Sequence, residues 1–217
     1  MVREINIRRH VAVLAIVTLV FIIGVFIGFR QGLDAVMSLS QDYDSISADS
    51  AMMDTLYLLE GSSLNSSESC GAYQSMLGKF SSEIREFNNR MWALENERGK
   101  FDPDLLSLKN KFNTLGVRNY LLLRKVDKIC ATNHTAILYF YSNKNYDPAR
   151  DQGAVIQQSL RENSTIVYHF DTDIENPFTK MLMDRYGIFM VPSIVMDEKA
   201  YSGYRGKDEL EKILYGG

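Results

Sequence analysis

Between residues 73 and 129, two apolar series run at alternating steps of four and three. The first is Tyr73, Leu77, Phe80, Ile84, Phe87, Met91 and Leu94. The second is Leu105, Leu108, Phe112, Leu115, Asn119, Leu122, Val126 and Ile129. That alternation is the seam of a coiled coil. "NERGKFDP" separates the two, and its Gly99 and Pro103 are placed to stop one helix and start another. In an antiparallel pair, facing layers carry residue numbers with a constant total. Leu94 with Leu105, Met91 with Leu108, Phe87 with Phe112, Ile84 with Leu115, Phe80 with Asn119, Leu77 with Leu122 and Tyr73 with Val126 all total 199. Residues 69–130 are therefore expected to form an antiparallel helical coiled-coil hairpin. One step further down, Cys70 comes opposite Ile129 and beside Cys130, so the chain's only two cysteines meet at the hairpin's foot. Asn119 is expected to be a register-fixing polar layer, and Trp92, beside Met91, to pack rather than to contact a ligand.

Val11 to Phe29 runs for 19 positions without a charge, enough at 1.5 Å rise per residue to span roughly the 30 Å hydrocarbon layer. The poor cleavage site after it favours an uncleaved signal anchor, with a cleaved signal peptide as the alternative. Arg3, Arg8 and Arg9 precede the span, whereas Asp34, Asp42, Asp44, Asp49 and Asp54 follow it. The positive-inside rule then leaves residues 1–10 in the cytoplasm and everything beyond the span on the outer side. There, in an oxidising compartment, Cys70 and Cys130 are expected to pair as a disulfide; a reactive dithiol is the alternative. N-x-S/T sequons at Asn65, Asn133 and Asn163 fall on the same side as candidate glycan acceptors. Gly24 and Gly28 form a GxxxG that offers one route to a homo-oligomer.

Composition removes other classes. The 24 Lys and Arg are scattered among 27 Asp and Glu, which is no nucleic-acid footprint, and none of three histidines stands at metal-ligand spacing. No cofactor is implied. Residues 30–68 read as a linker holding one short helix, capped near Ser47 or Ser50 and apolar at Met53, Leu56 and Leu59.

From residue 134 the period changes. "TAILYFYS" suits a strand buried on both faces, "DQGAVIQQSLRE" a helix, "STIVYHFDTD" a strand and "ENPFTKMLMDRYG" a helix with Asn176 as N-cap, Pro177 at its first position and Gly187 after its last turn. "PSIVMD" and "KAYSGYRG" read as short strands about Asp197 and Glu198, and "KDELEKILY" as a final helix.

These residues resemble the thioredoxin superfamily. Phe140 and Tyr141 look like its aromatic lead-in to the active-site loop, and "YHFDTDIENPFTKMLMDRYGIFMVPSIVMD" resembles its central strand, connecting helix and Val-Pro step. The whole layout is similar to archaeal-type membrane-anchored proteins carrying a hairpin ahead of such a domain. The implied fold is an α/β thioredoxin-like domain over residues 134–217, preceded by a transmembrane helix at 11–29 and the hairpin. The resemblance places the active-site-equivalent loop at Asn145, Tyr146, Asp147, Pro148 and Ala149, where there is no thiol, and sets Tyr139 where many relatives keep a buried acid. It also puts a cis proline at Pro192, where the Val191 backbone would pair with an extended peptide. Tyr141, Tyr146, Phe189 and Met190 are expected to line a groove beside it. The expectation is a membrane-anchored, redox-inactive polypeptide-binding or scaffold module without enzymatic activity. An oxidoreductase using Cys70 and Cys130, or a coiled-coil spacer, are the alternatives.

Overall fold

A computed structural model of the chain describes residues 7–60, 66–144, 146–160 and 165–216. It contains α1 (Ile7–Glu60), α2 (Ser66–Arg98), α3 (Pro103–Cys130), β1 (Ala136–Tyr141), α4 (Tyr146–Ser159), β2 (Ile166–Asp171), α5 (Pro177–Tyr186), β3 (Ser193–Met196), β4 (Lys199–Ser202) and α6 (Lys207–Tyr215). The fold is mostly helical with one small mixed sheet. It divides into two compact units, Met1–Ser38 and Leu39–Gly217.

In the first unit, Val11–Gly28 is long and apolar enough to cross a membrane, with a mean hydropathy of 3.0, and its side chains are exposed. Length and composition fit either an anchor or a signal sequence.

In the second unit, α2 and α3 pack along the expected seam. Every apolar residue from Tyr73 to Leu94 in the first series is buried, as are the apolar residues from Leu105 to Val126 in the second. The Phe87 and Phe112 rings stack with centroids 4.0 Å apart, which fixes one layer of the register directly. Asp102 caps α3 by accepting from the backbone N–H groups of Asp104 and Leu105, ahead of Pro103 at the first turn. At the foot, Cys70 and Cys130 are disulfide-bonded with Cα atoms 5.6 Å apart. Closing a 60-residue separation, such a bridge contributes on the order of 4 kcal/mol in the chain-entropy account.

The expected short helix upstream is instead the end of α1, which continues unbroken to Glu60. Ser47 and Ser50, which read as caps, lie within it. Leu39, Ile46, Ser50 and Met53 recur at steps of seven, four and three and are buried. Ser50 donates a 2.5 Å hydrogen bond to Asn119 Oδ1, so the polar layer of the hairpin is answered from α1 and not from across the seam. Arg90 pairs with Asp42, Lys79 with Asp49 and Arg118 with Asp54, tying the same stretch to both hairpin helices. Residues 39–60, α2 and α3 thus form a three-helix bundle.

The sheet has the order β2-β1-β3-β4, with β1 parallel to β2 and antiparallel to β3, and β3 antiparallel to β4. One face, bearing Ile137, Tyr139 and Val167, packs on Ile156 of α4 and Leu210 of α6. The other meets the bundle. Phe140 and Phe170 stack there, and Gly116 of α3 lies so close that a Cβ would stand 3.3 Å from Phe170 Cε1. Asn176 caps α5 from the side chain and Gly187 ends it at φ 63°, both as expected. The Val191–Pro192 peptide is cis.

Candidate functional site

Two surfaces lie at the end of the sheet where β1 and β2 finish. The first is the segment entering β3. Phe140 pairs with Ser193, so Val191 and Pro192 stand beside the exit of β1 and the loop that leads to α4. Pro192 is held by its carbonyl, which accepts from Gly203 N–H at 2.8 Å, and Ser193 Oγ donates to the Met190 carbonyl at 2.6 Å. Val191 itself, half-buried, makes no backbone hydrogen bond among the described residues. Beside it Phe189 is 93% exposed and Met190 59% exposed. A backbone N–H and C=O without a partner among the described residues, flanked by two bare apolar side chains, are features an extended chain could use.

The loop beyond β1 is organised by acids. Ser142 Oγ donates to both oxygens of Asp173 at 2.9 and 3.0 Å, and Lys144 N–H also reaches Asp173 at 2.9 Å. Asn145 lies outside the described residues; Tyr146, Asp147, Pro148 and Ala149 form the first turn of α4. Asn133 is exposed in the turn before β1, whereas Asn65 and Asn163 lie outside the described residues.

The second surface is a cleft of about 330 Å³ walled by α2 and α4 and floored by β1 and β2. Tyr141, the last residue of β1, lines this cleft, because strand alternation points it to the same side as Tyr139. The two rings stack at 5.4 Å. No residue from 189–192 lines the cleft, and the side chain of Tyr146, the fourth residue of the expected groove, lies outside the described residues. Trp92 is on the cleft wall and 57% exposed.

Under one end of the cleft lies an ionic cluster. Lys109 of α3 stands between Glu95 of α2, at 2.5 Å, and Asp171 at the end of β2, and all three are buried. Asp171 also accepts from Asn143 Nδ2 at 2.8 Å and from Asp173 N–H at 3.0 Å, while its carbonyl accepts from Asn113 Nδ2 at 3.1 Å. Burial alone would lower the ammonium's pKa; the neighbouring Tyr141 oxygen and the Asp171 and Glu95 carboxylates outweigh that and raise it. Lys109 is thus a permanent cation lying 5.4 Å from the Tyr141 ring centroid. Burial raises the Tyr139 and Tyr141 phenols above their ordinary range and pushes the His169 imidazole down to about 4. His169 is therefore neutral at physiological pH, and its buried Nε2 has no hydrogen-bond partner among the described residues. Among the described residues, no group of His, Cys, Asp or Glu could hold a metal.

Sequence reasoning missed Lys109, Asn113, Gly116, Tyr120 and Asp127, which form a second stripe on α3 at steps of four, three, four and seven, all buried. Its spacing was readable, but its polar residues concealed it. No family model, curated protein or solved structure matches the chain.

Proposed function

We propose that the chain is a membrane-tethered, redox-inactive module that binds extended polypeptide at the segment entering β3. The observation that carries this reading is Val191: a backbone position unpaired among the described residues, at a sheet end, flanked by exposed Phe189 and Met190. A thioredoxin-like identity for residues 134–217 is supported by the strand order β2-β1-β3-β4, by helices on both faces, and by the residue resemblance around Val191–Pro192. Both cysteines are consumed in a bond beside the start of β1, at the other end of that strand from the loop, and the loop sequence contains none. That arrangement favours a fastener over an electron carrier. The bridge, the basic residues before Val11 and the acidic ones after the span together favour the second unit on the outer side, and the poor cleavage site after the span favours an uncleaved anchor. A scaffold or chaperone-like role toward secreted or membrane proteins follows from that address.

The test uses the full chain in detergent with a permanently unfolded, carboxymethylated polypeptide as probe. Binding is expected, and Phe189→Ser with Met190→Ser should weaken it by about tenfold or more, in keeping with the loss of two anchoring apolar side chains. An unfolded probe that does not bind, or binds the double variant equally, overturns the reading.

A further inference from the structure

The cleft between α2 and α4 has a chemistry of its own, independent of the polypeptide reading. We propose that it is a binding site for a neutral saccharide of one or two rings.

Three observations converge. First, one aromatic side chain is presented and not packed away. Trp92 is the chain's only tryptophan, and it stands 57% exposed on the wall of the cleft whose floor includes the buried, stacked Tyr139 and the half-buried Tyr141. The face of an aromatic ring carries the negative lobe of its quadrupole, and the axial C–H groups of a sugar ring offer the matching weakly positive, apolar surface.

Second, the polar lining is dominated by carboxamides. Asn88, Asn89 and Asn96 from α2 and Gln157 from α4 line the cleft, while Asn143, in the loop after β1, is already bonded to Asp171. Each carboxamide both donates and accepts, as each sugar hydroxyl does, so neither partner is left with an unmatched group. A purely apolar ligand would strand these amides.

Third, formal charges are few. Among the described lining residues Glu95 and Lys100 are charged, with opposite signs, and Glu95 is already held by Lys109 at 2.5 Å. Carboxamides outnumber charged side chains among the described lining residues, and the neutral imidazole of His169 adds no charge. At about 330 Å³ the cleft lies at the small end of ligand sites, which run from roughly 300 to 1,000 Å³.

Because Trp92 is the sole tryptophan, its fluorescence reports on the cleft directly. The full chain, held in a detergent whose headgroup contains no sugar, is titrated with a panel of neutral mono- and disaccharides, with their phosphorylated or aminated counterparts, and with a short unfolded peptide. At least one neutral saccharide should saturate the Trp92 signal with a Kd on the order of millimolar. The charged counterparts should bind no better. By calorimetry, Trp92→Ala and Gln157→Ala should each weaken binding about tenfold or more, while Phe189→Ser leaves it unchanged. Both altered side chains are exposed, so the variants should fold, which a thermal transition at the wild-type position would verify. The proposal is overturned if no neutral saccharide saturates, if charged sugars or the peptide bind preferentially, or if neither cleft variant weakens binding.

Discussion

Replacing Lys109 with methionine would leave Glu95 and Asp171 buried at the same point with no cation between them. Truncating one partner of a buried ionic group costs about 3–5 kcal/mol, because the remaining charges lose their compensation while staying out of water. Lys109→Met should therefore lower the denaturant midpoint sharply with the slope preserved, and adding Glu95→Gln should recover part of the loss. His169 sets a second expectation. Its imidazole titrates near 4 when folded, against an ordinary 6.5, so between those values the unfolded chain binds a proton that the folded chain refuses. Stability from this group is full above 6.5 and falls as pH drops toward 4, by up to about 3 kcal/mol. Comparing unfolding midpoints near pH 7 and near pH 4.5, His169→Phe should show a smaller acid loss than the parent chain. Neither residue was legible beforehand. A lysine in a helix and a histidine in a strand read as solvated or incidental until a partner from distant sequence appears. Asn176, Pro177 and Gly187 were legible, because caps act within a few residues of themselves.

Helix α3 shows why elements are only partly readable. Its first seam, Leu105 to Val126, is apolar and declares its period. Its second, from Lys109 through Gly116 and Tyr120 to Asp127, has heptad-compatible spacing but meets the sheet with a cation, an amide, a bare backbone and a tyrosine. The acid of that stripe, Asp127, holds Thr132 and His134 ahead of β1. The pattern method weighs side-chain polarity, whereas burial here is set by partners such as Asp171 and the Tyr186 hydroxyl, 2.6 Å from that of Tyr120. The upstream helix was misjudged for a related reason: Ser47 and Ser50 look like caps, and Ser50 is in fact the donor to Asn119. The turn joining β3 to β4 offers an element-scale test. Asp197 and Glu198 both have positive φ, 48° and 61°, the two-residue conformation that favours an asparagine followed by a glycine. The double substitution Asp197→Asn with Glu198→Gly should raise stability by about 1 kcal/mol, read as a higher thermal midpoint. The exposed pairing of Glu198 with Arg185 at 3.6 Å is too weak to offset that gain.

At the scale of the molecule, the hairpin looks from sequence like a stalk that merely carries the terminal domain. The contacts of the second unit assign it a further part. A four-stranded sheet needs cover on both faces. α4 and α6 cover one, but the other carries Leu138, Phe140, Tyr168 and Phe170, and α5 is joined there by α3. Removing the bundle would expose those aromatics and strand Asp171 without Lys109. A fragment of residues 131–217 should therefore retain strand and helix signal but lose its fixed aromatic packing. It should bind a hydrophobic dye and unfold without a cooperative transition, whereas residues 39–217 should unfold cooperatively. Near-ultraviolet circular dichroism and a denaturant titration of both fragments decide the matter. If the shorter one melts as sharply as the longer, the bundle is a spacer, and the buried Lys109 cluster is incidental to how the sheet is held.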